Sequence, residues 1–374
     1  NQLHGSIFDH LGNSALNSKE FFAREVTPFS QNEGGFTLGG PVVIPNVYNG
    51  RDKTFFFGSL GLFFSRMGAS EDLVTIPSLK ERAGDFSELG VTIYDPETTR
   101  TGADGSIIRD PFLNNIIPSE RISDAAKKIM AYLPPPDMPG ITNNYHSRAN
   151  SKWPYLNVYS PLIKVDHSLS DKQKLSVMYS KRINHRIIWE VGRIPQPVWG
   201  ETQTNPIDHV TDQLANSWKL RLNHDYIVTN TLMNHFTFSA DNYFNRGANK
   251  TVGQGWNQML GIQGIPADDG SFPSIGFSGG VGAPAAFGRT YDEDWLEYRY
   301  GFIENLSWIR GKHTLKFGFS VQLNNEDRHF GGEAGSFTFS NSSTATTADS
   351  NAGSAFASFL LGAVNQASAY ISLA

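Results

Sequence analysis

Residues 298–323 alternate with a period of two on both sides of Gly311. Before the glycine, Tyr298, Tyr300, Phe302, Leu306 and Trp308 fall on one face; after it, Leu315, Phe317, Phe319, Val321 and Leu323 do. The other face of the second segment carries Thr314, Lys316, Gly318, Ser320, Gln322 and Asn324. Successive strand side chains point to opposite faces, so this pattern predicts a hairpin with one apolar and one hydrophilic face. Its strands exceed the roughly five or six residues of an ordinary globular strand and reach the ~10 that cross a membrane when tilted. Glu304 interrupts the apolar face, which predicts a bulge, an edge or a shifted register.

The same grammar recurs along the chain. Strands are expected at residues 2–10, 34–43, 53–66, 156–168, 173–183, 212–227, 231–245 and 335–340, with a further stub at 367–374. Polar turns at 169–172, 228–230 and 310–312 alternate with long excursions at 67–155, 184–209 and 246–292. If the tight turns share one side, every long loop falls on the other. That is the asymmetry of a bacterial outer-membrane barrel, and a soluble sandwich or propeller gives no reason for it. One helix is expected in the first excursion: Ser123 caps it, Ala125, Ala126, Ile129 and Leu133 give helical spacing, and Pro134–Pro136 stop it. The fold class predicted is all-β, a transmembrane antiparallel up-and-down β-barrel with long extracellular loops. Trp218, Tyr226, Tyr243, Phe244, Tyr300 and Trp308 lie near strand ends, where aromatic girdles form.

Composition narrows the function. A net charge of −5 gives no electrostatic footprint for nucleic acid. There is no cysteine, hence no disulfide, thiolate zinc site or cysteine nucleophile. No run approaches the roughly 18 apolar residues of a membrane helix, and a mean hydropathy of −0.33 suits strands whose alternate residues face a wet interior. The ten histidines fall in no ligand spacing, the glycines at 279–288 form no phosphate loop, and no serine has assignable His and Asp partners. Catalytic, metal and cofactor assignments are therefore none, and an enzyme is the least supported class. Asp268, Asp269 and 292–294 could hold calcium, although solvated loop charge is the default reading.

Strand parity nominates Lys164, Asp166, Lys219, Arg221, Arg299, Lys316 and Gln322 as lumen-lining candidates. Each could equally form wall-holding salt bridges and hydrogen bonds. Loop aromatics Trp189, Trp199, Trp256 and Phe287 are candidates for stacking on a substrate, or for packing the loops together.

Several runs carry a resemblance. Asn1-Gln-Leu-His-Gly-Ser-Ile-Phe, the segment 17–22 ending in paired Phe, Gly39-Gly-Pro and Lys53-Thr-Phe-Phe-Phe-Gly open the chain. Gly84-Asp-Phe-Ser, Ile93-Tyr-Asp-Pro-Glu-Thr-Thr-Arg, Asn115-Ile-Ile-Pro-Ser-Glu-Arg-Ile and Tyr132-Leu-Pro-Pro-Pro follow in the long excursion. Asp166-His-Ser-Leu-Ser-Asp-Lys-Gln, Gly311-Lys-His-Thr-Leu-Lys-Phe-Gly and Phe356-Ala-Ser-Phe-Leu-Leu-Gly complete the series. Together they resemble the barrel of Oar-like TonB-dependent transporters over residues 1–362.

That resemblance implies a signal peptide, often a carboxypeptidase-regulatory-like domain, and a plug domain ahead of a 22-stranded barrel. With about ten or eleven strands, the chain resembles the first half of such a barrel, with two unpaired edges and the plug upstream. The implied localisation is the bacterial outer membrane, and the implied partners are membrane lipid, the TonB complex through the plug, and a siderophore, oligosaccharide or peptide substrate. A barrel for protein secretion or surface adhesion is the alternative. A soluble carbohydrate-binding β protein is a third reading, in which the apolar faces would pack on each other.

Overall fold

The computed structural model describes residues 2–19, 21, 26, 28–67, 71–148, 155–189, 207, 210–248, 252–265, 270, 272–288, 293–330 and 335–369. One antiparallel sheet holds nine strands: β1 (His4–Asn13), β2 (Phe29–Pro41), β3 (Thr54–Met67), β4 (Tyr155–Ser170), β5 (Gln173–Trp189), β6 (Val210–Thr229), β7 (Leu232–Ala248), β8 (Glu293–Arg310) and β9 (His313–Phe330). Each strand pairs with the next in sequence, an up-and-down order in which β1 and β9 are the edges. The sheet is open. It contains nine strands rather than ten or eleven, because Ser336–Ser340 pairs in parallel with Ser274–Ser278 and antiparallel with Gln366–Ser368, away from the main sheet.

Joins alternate as the sequence predicts. Two-residue turns at 171–172, 230–231 and 311–312 link β4 to β5, β6 to β7 and β8 to β9. Gly311 sits at φ +62°, the left-handed backbone that a tight hairpin needs and glycine adopts without a steric penalty. The β2–β3 join, 42–53, folds into a small hairpin of Val43–Ile44 with Tyr48–Asn49. All remaining joins leave the opposite rim.

Register divides the sheet into two faces. Tyr226, Asn234 and Leu306 share one, with His224, Phe236, Glu304 and Phe319 in the next row and Leu222, Phe238, Phe302 and Val321 beyond. This face is mainly apolar and open to its surroundings: Phe317, Phe319 and Leu323 are 54–61% exposed. An apolar surface of that extent requires a nonaqueous neighbour. Glu304 marks no bulge or slip, for the ladder through Phe236, Glu304 and Phe319 is unbroken. Its carboxylate instead accepts a hydrogen bond from the Asn234 side-chain amide. Register shifts occur beside turns, at Ser168/Ser170 and Ile227/Thr229.

The buried core lies outside the sheet. Segments from the long-loop rim fold together into a cap whose core includes Ile76, Phe86, Ile93, Ile117, Ile129, Leu260, Phe272 and Phe356. Main-chain bonds knit the separate excursions: Ala285 N–H donates to Thr75 O, Ser123 N–H to Leu360 O, Gly353 N–H to Thr92 O and Gly288 N–H to Ile207 O. The helix expected after Ser123 forms as α2 (Asp124–Met130), its cap hydroxyl accepting from Ala126 N–H at 3.2 Å, following α1 (Leu79–Arg82). It stops at Met130, while Leu133 packs in the core just beyond it. After α3 (Trp256–Leu260), the run Phe356-Ala-Ser-Phe-Leu lies in α4 (Ala355–Leu360), all six of whose residues are buried. Phe356, Phe359, Phe277 and Phe339 form its aromatic cluster, with ring centroids 5.2–6.3 Å apart.

Candidate functional site: the polar sheet face

All seven strand candidates share the second face. Lys164, Met178, Arg221, Ser239, Gly301 and Gln322 form one transverse row, each opposite the next. The adjoining row runs Ser180, Lys219, Asp241, Arg299, Asn324. Asp166 and Lys316 stand on the same face by the strand period of two. Alternation alone was enough to find this grouping.

Their partners differ. Lys164 pairs with Asp166 at 2.9 Å along one strand. Arg299 donates to Asp241 at 2.7 and 2.8 Å and approaches Glu297 at 3.8 Å. Arg221 Nε donates to Asn223 Oδ1 at 3.2 Å, and the same oxygen accepts from Thr237 Oγ1 at 2.9 Å. Gln322 donates to Asn324 Oδ1 at 2.8 Å. Among the described residues, Lys219 and Lys316 have no ion-pair partner. Lys219, Arg221, Asp241, Thr237, Ser239 and Met178 surround a depression of about 310 Å³. Gly301 leaves room beside it for the Ser239 hydroxyl, since a Cβ there would lie 2.6 Å from Ser239 Oγ.

The first four strands break the expected polarity. Phe8, Phe55, Phe57 and Phe63 stand on the same face as the charged residues. With Gly61, Val158 and Ser160 at the floor and Glu33 and Arg182 in the lining, Phe8 and Phe63 border a second depression of about 480 Å³. The signal was present in the chain: consecutive Phe55, Phe56 and Phe57 must occupy both faces of a strand.

Two of the four loop aromatics are buried and present no surface that could stack on a substrate. Trp256 and Phe287 are 5% and 0% exposed, inside the cap core, where Trp256 meets Phe272 and Tyr132 edge-on and Phe287 packs near Phe277. They hold the loops together. Trp189 ends β5 but its side chain lies outside the described residues, as does all of Trp199. Asp268, Asp269 and Asp292 also lie outside them; Asp294 pairs with Arg246 at 3.4 Å.

In the cap, the ion pair of Asp95 and Arg121 was not nominated by sequence. Arg121 donates twice to Asp95, each at 2.9 Å, and reaches Glu97 at 3.0 Å. The guanidinium holds the Asp95 carboxyl below the usual carboxylate range. Glu81 is the opposite case: burial raises its carboxyl above that range despite hydrogen bonding with Ser78 at the N-terminus of α1. Its Oε1 is buried without a hydrogen-bond partner.

The family model described as an outer membrane beta barrel domain matches residues 1–373. Among curated proteins, none matches the chain.

Proposed function

The chain belongs to the outer membrane beta barrel domain family, and from that premise we propose that it forms barrel wall of a TonB-dependent transporter in the bacterial outer membrane. The apolar sheet face meets lipid and the polar face lines the lumen, as alternation in a membrane barrel requires. A substrate of the siderophore, oligosaccharide or peptide class is captured under the cap. It then passes the polar face when the TonB complex acts on a plug domain. On this reading the protein is not an enzyme, and Lys164, Asp166, Lys219, Arg221, Arg299, Lys316 and Gln322 line the path.

One observation carries the reading: the polar face bears charged rows across β4–β9 while the opposite face is apolar and exposed. A passive anchor needs only the second property. The cap, with a core of its own, favours a second reading in which the barrel displays a surface for adhesion or takes part in protein secretion.

Uptake separates the two. Cells carrying the full-length gene are offered a ferric siderophore, a labelled maltodextrin and a labelled peptide, with and without a protonophore. Periplasmic accumulation of one probe that the protonophore abolishes is the expected result. Surface binding without accumulation of any probe overturns transport and leaves the display reading.

A further inference from the structure

We propose that the polar faces of β5 and β6 form a binding site for a polyanionic solute, one bearing two or more carboxylate or phosphate groups, centred on Lys219 and Arg221. The proposal rests on the reading that this face lines the lumen.

Charge on these two strands is one-sided. The polar positions of β5 are Lys174, Ser176, Met178, Ser180, Arg182, Asn184 and Arg186, with no acid among them. On β6 the corresponding positions from Gln213 to Asp225 add Lys219 and Arg221 and a single acid, Asp225, which His235 Nδ1 contacts at 2.5 Å. Asp241, directly across from Lys219, is held by Arg299. Five cations therefore stand against one acid on a strip of a chain whose net charge is −5. At ~3.3 Å per residue, the strip from Arg186 to Lys174 runs about 40 Å from the long-loop rim toward the turns. Like charges on neighbouring positions of one face repel. A one-signed strip beside low-dielectric walls also focuses field and concentrates counter-ions. Anion-selective pores are lined by Lys and Arg on the same physical grounds.

The geometry at the centre is prepared for an anion. Asn223, itself hydrogen-bonded by Thr237, fixes the Nε edge of Arg221. Among the described residues nothing bonds its terminal NH2 groups, which leaves them for the fork that matches a carboxylate or phosphate. Ser239 Oγ stands directly across from Arg221 in the space that Gly301 leaves open. The depression of about 310 Å³ that these groups share is of a size that takes a small charged moiety.

The test is binding to the full-length protein purified in detergent, by calorimetry. The probes are oligogalacturonate, which presents carboxylates, polyphosphate, which presents phosphates, and maltoheptaose as a neutral control. At least one anionic probe is expected to bind ten-fold or more tighter than maltoheptaose, and to weaken as salt rises. K219Q/R221Q should weaken it by about ten- to a hundred-fold. K219R/R221K should restore most of the loss, and K312Q, in the β8–β9 turn, should change affinity less than about two-fold. Which anionic probe responds distinguishes a carboxylate from a phosphate ligand. Equal binding of neutral and anionic probes, or anion binding unchanged in K219Q/R221Q, overturns the site; thermal destabilisation with intact probe binding assigns the cations to wall stability instead. If the double variant gives no heat-shifted band, K219Q alone and the salt dependence of the unaltered protein decide, and a salt-independent affinity overturns the proposal. Because the assay needs no energy source, failed uptake leaves the site standing. Energised uptake of a neutral solute unaffected by K219Q/R221Q removes the site and leaves transport.

Discussion

Arg299 and Asp241 face each other directly across β8 and β7, with the guanidinium 2.7 Å from the carboxylate. The pair decides the charge state of its neighbourhood. While Arg299 holds Asp241, Lys219 on the next strand has no counter-charge among the described residues.

Removing Arg299 therefore has two expected effects. R299Q frees Asp241 to pair with Lys219, so anion binding at the proposed site on β5 and β6 falls. The wall itself loses about 1 kcal/mol, the scale of a partly exposed ion pair. A double-mutant cycle of R299Q and D241N, read by urea unfolding in lipid vesicles, should show a coupling of that order. Strict additivity would mean that the pair contributes nothing to the folded wall.

The cap should unfold separately from the sheet. Phe356 is 0% exposed and packs against Phe359, Phe86 and Phe277. F356A is expected to cost about 3–5 kcal/mol, the range for deleting a fully buried aromatic. Protease treatment of intact cells should then nick the cap while the barrel keeps its heat-shifted band. Loss of that band together with the cap would show that the two form one cooperative unit.

Two perturbed carboxyls of the cap, Asp95 and Glu81, predict opposite responses to pH. Arg121 depresses the folded-state value of Asp95, so the pair stabilises the cap above the ordinary carboxylate range and that stability is lost as pH falls through the folded value. Burial raises Glu81, so its penalty appears as pH rises past its unfolded value and through its folded one. Cap unfolding followed by tryptophan fluorescence from neutral pH to about pH 3 checks both. D95N should be less stable than the unaltered protein at neutral pH and should flatten the acid limb. E81Q should be more stable at neutral pH and converge on the unaltered protein in acid.

The sheet was legible because period two is local information. The hairpin 293–330 and its turn at Gly311 follow from residues adjacent in sequence, and the seven polar candidates share a face for the same reason. The cap was not legible, because its order comes from contacts between distant excursions. Ser274–Ser278 finds Ser336–Ser340 in parallel, a pairing that no local pattern encodes. From sequence Trp256 and Phe287 could equally contact a substrate or pack the loops, and only the folding together of separate segments decides for packing. The same event withdraws residues 335–340 from the strand count.

Glu304 gives the sharpest test of which face meets lipid. It stands in the apolar row between Phe236 and Phe319, and the Asn234 amide donates to its carboxylate. Removing the amide alone leaves an acid without its donor in an apolar setting, so N234L should destabilise the barrel by about 1–3 kcal/mol. Removing both polar groups discards the interaction together with its desolvation cost, so E304L/N234L should be neutral or stabilising. Unfolding in lipid vesicles measures both. In water, on a soluble β protein, an exposed Glu304 would be readily hydrated, and the two variants would then behave alike. A clear separation between them requires the low-dielectric surroundings that only a lipid-facing row provides.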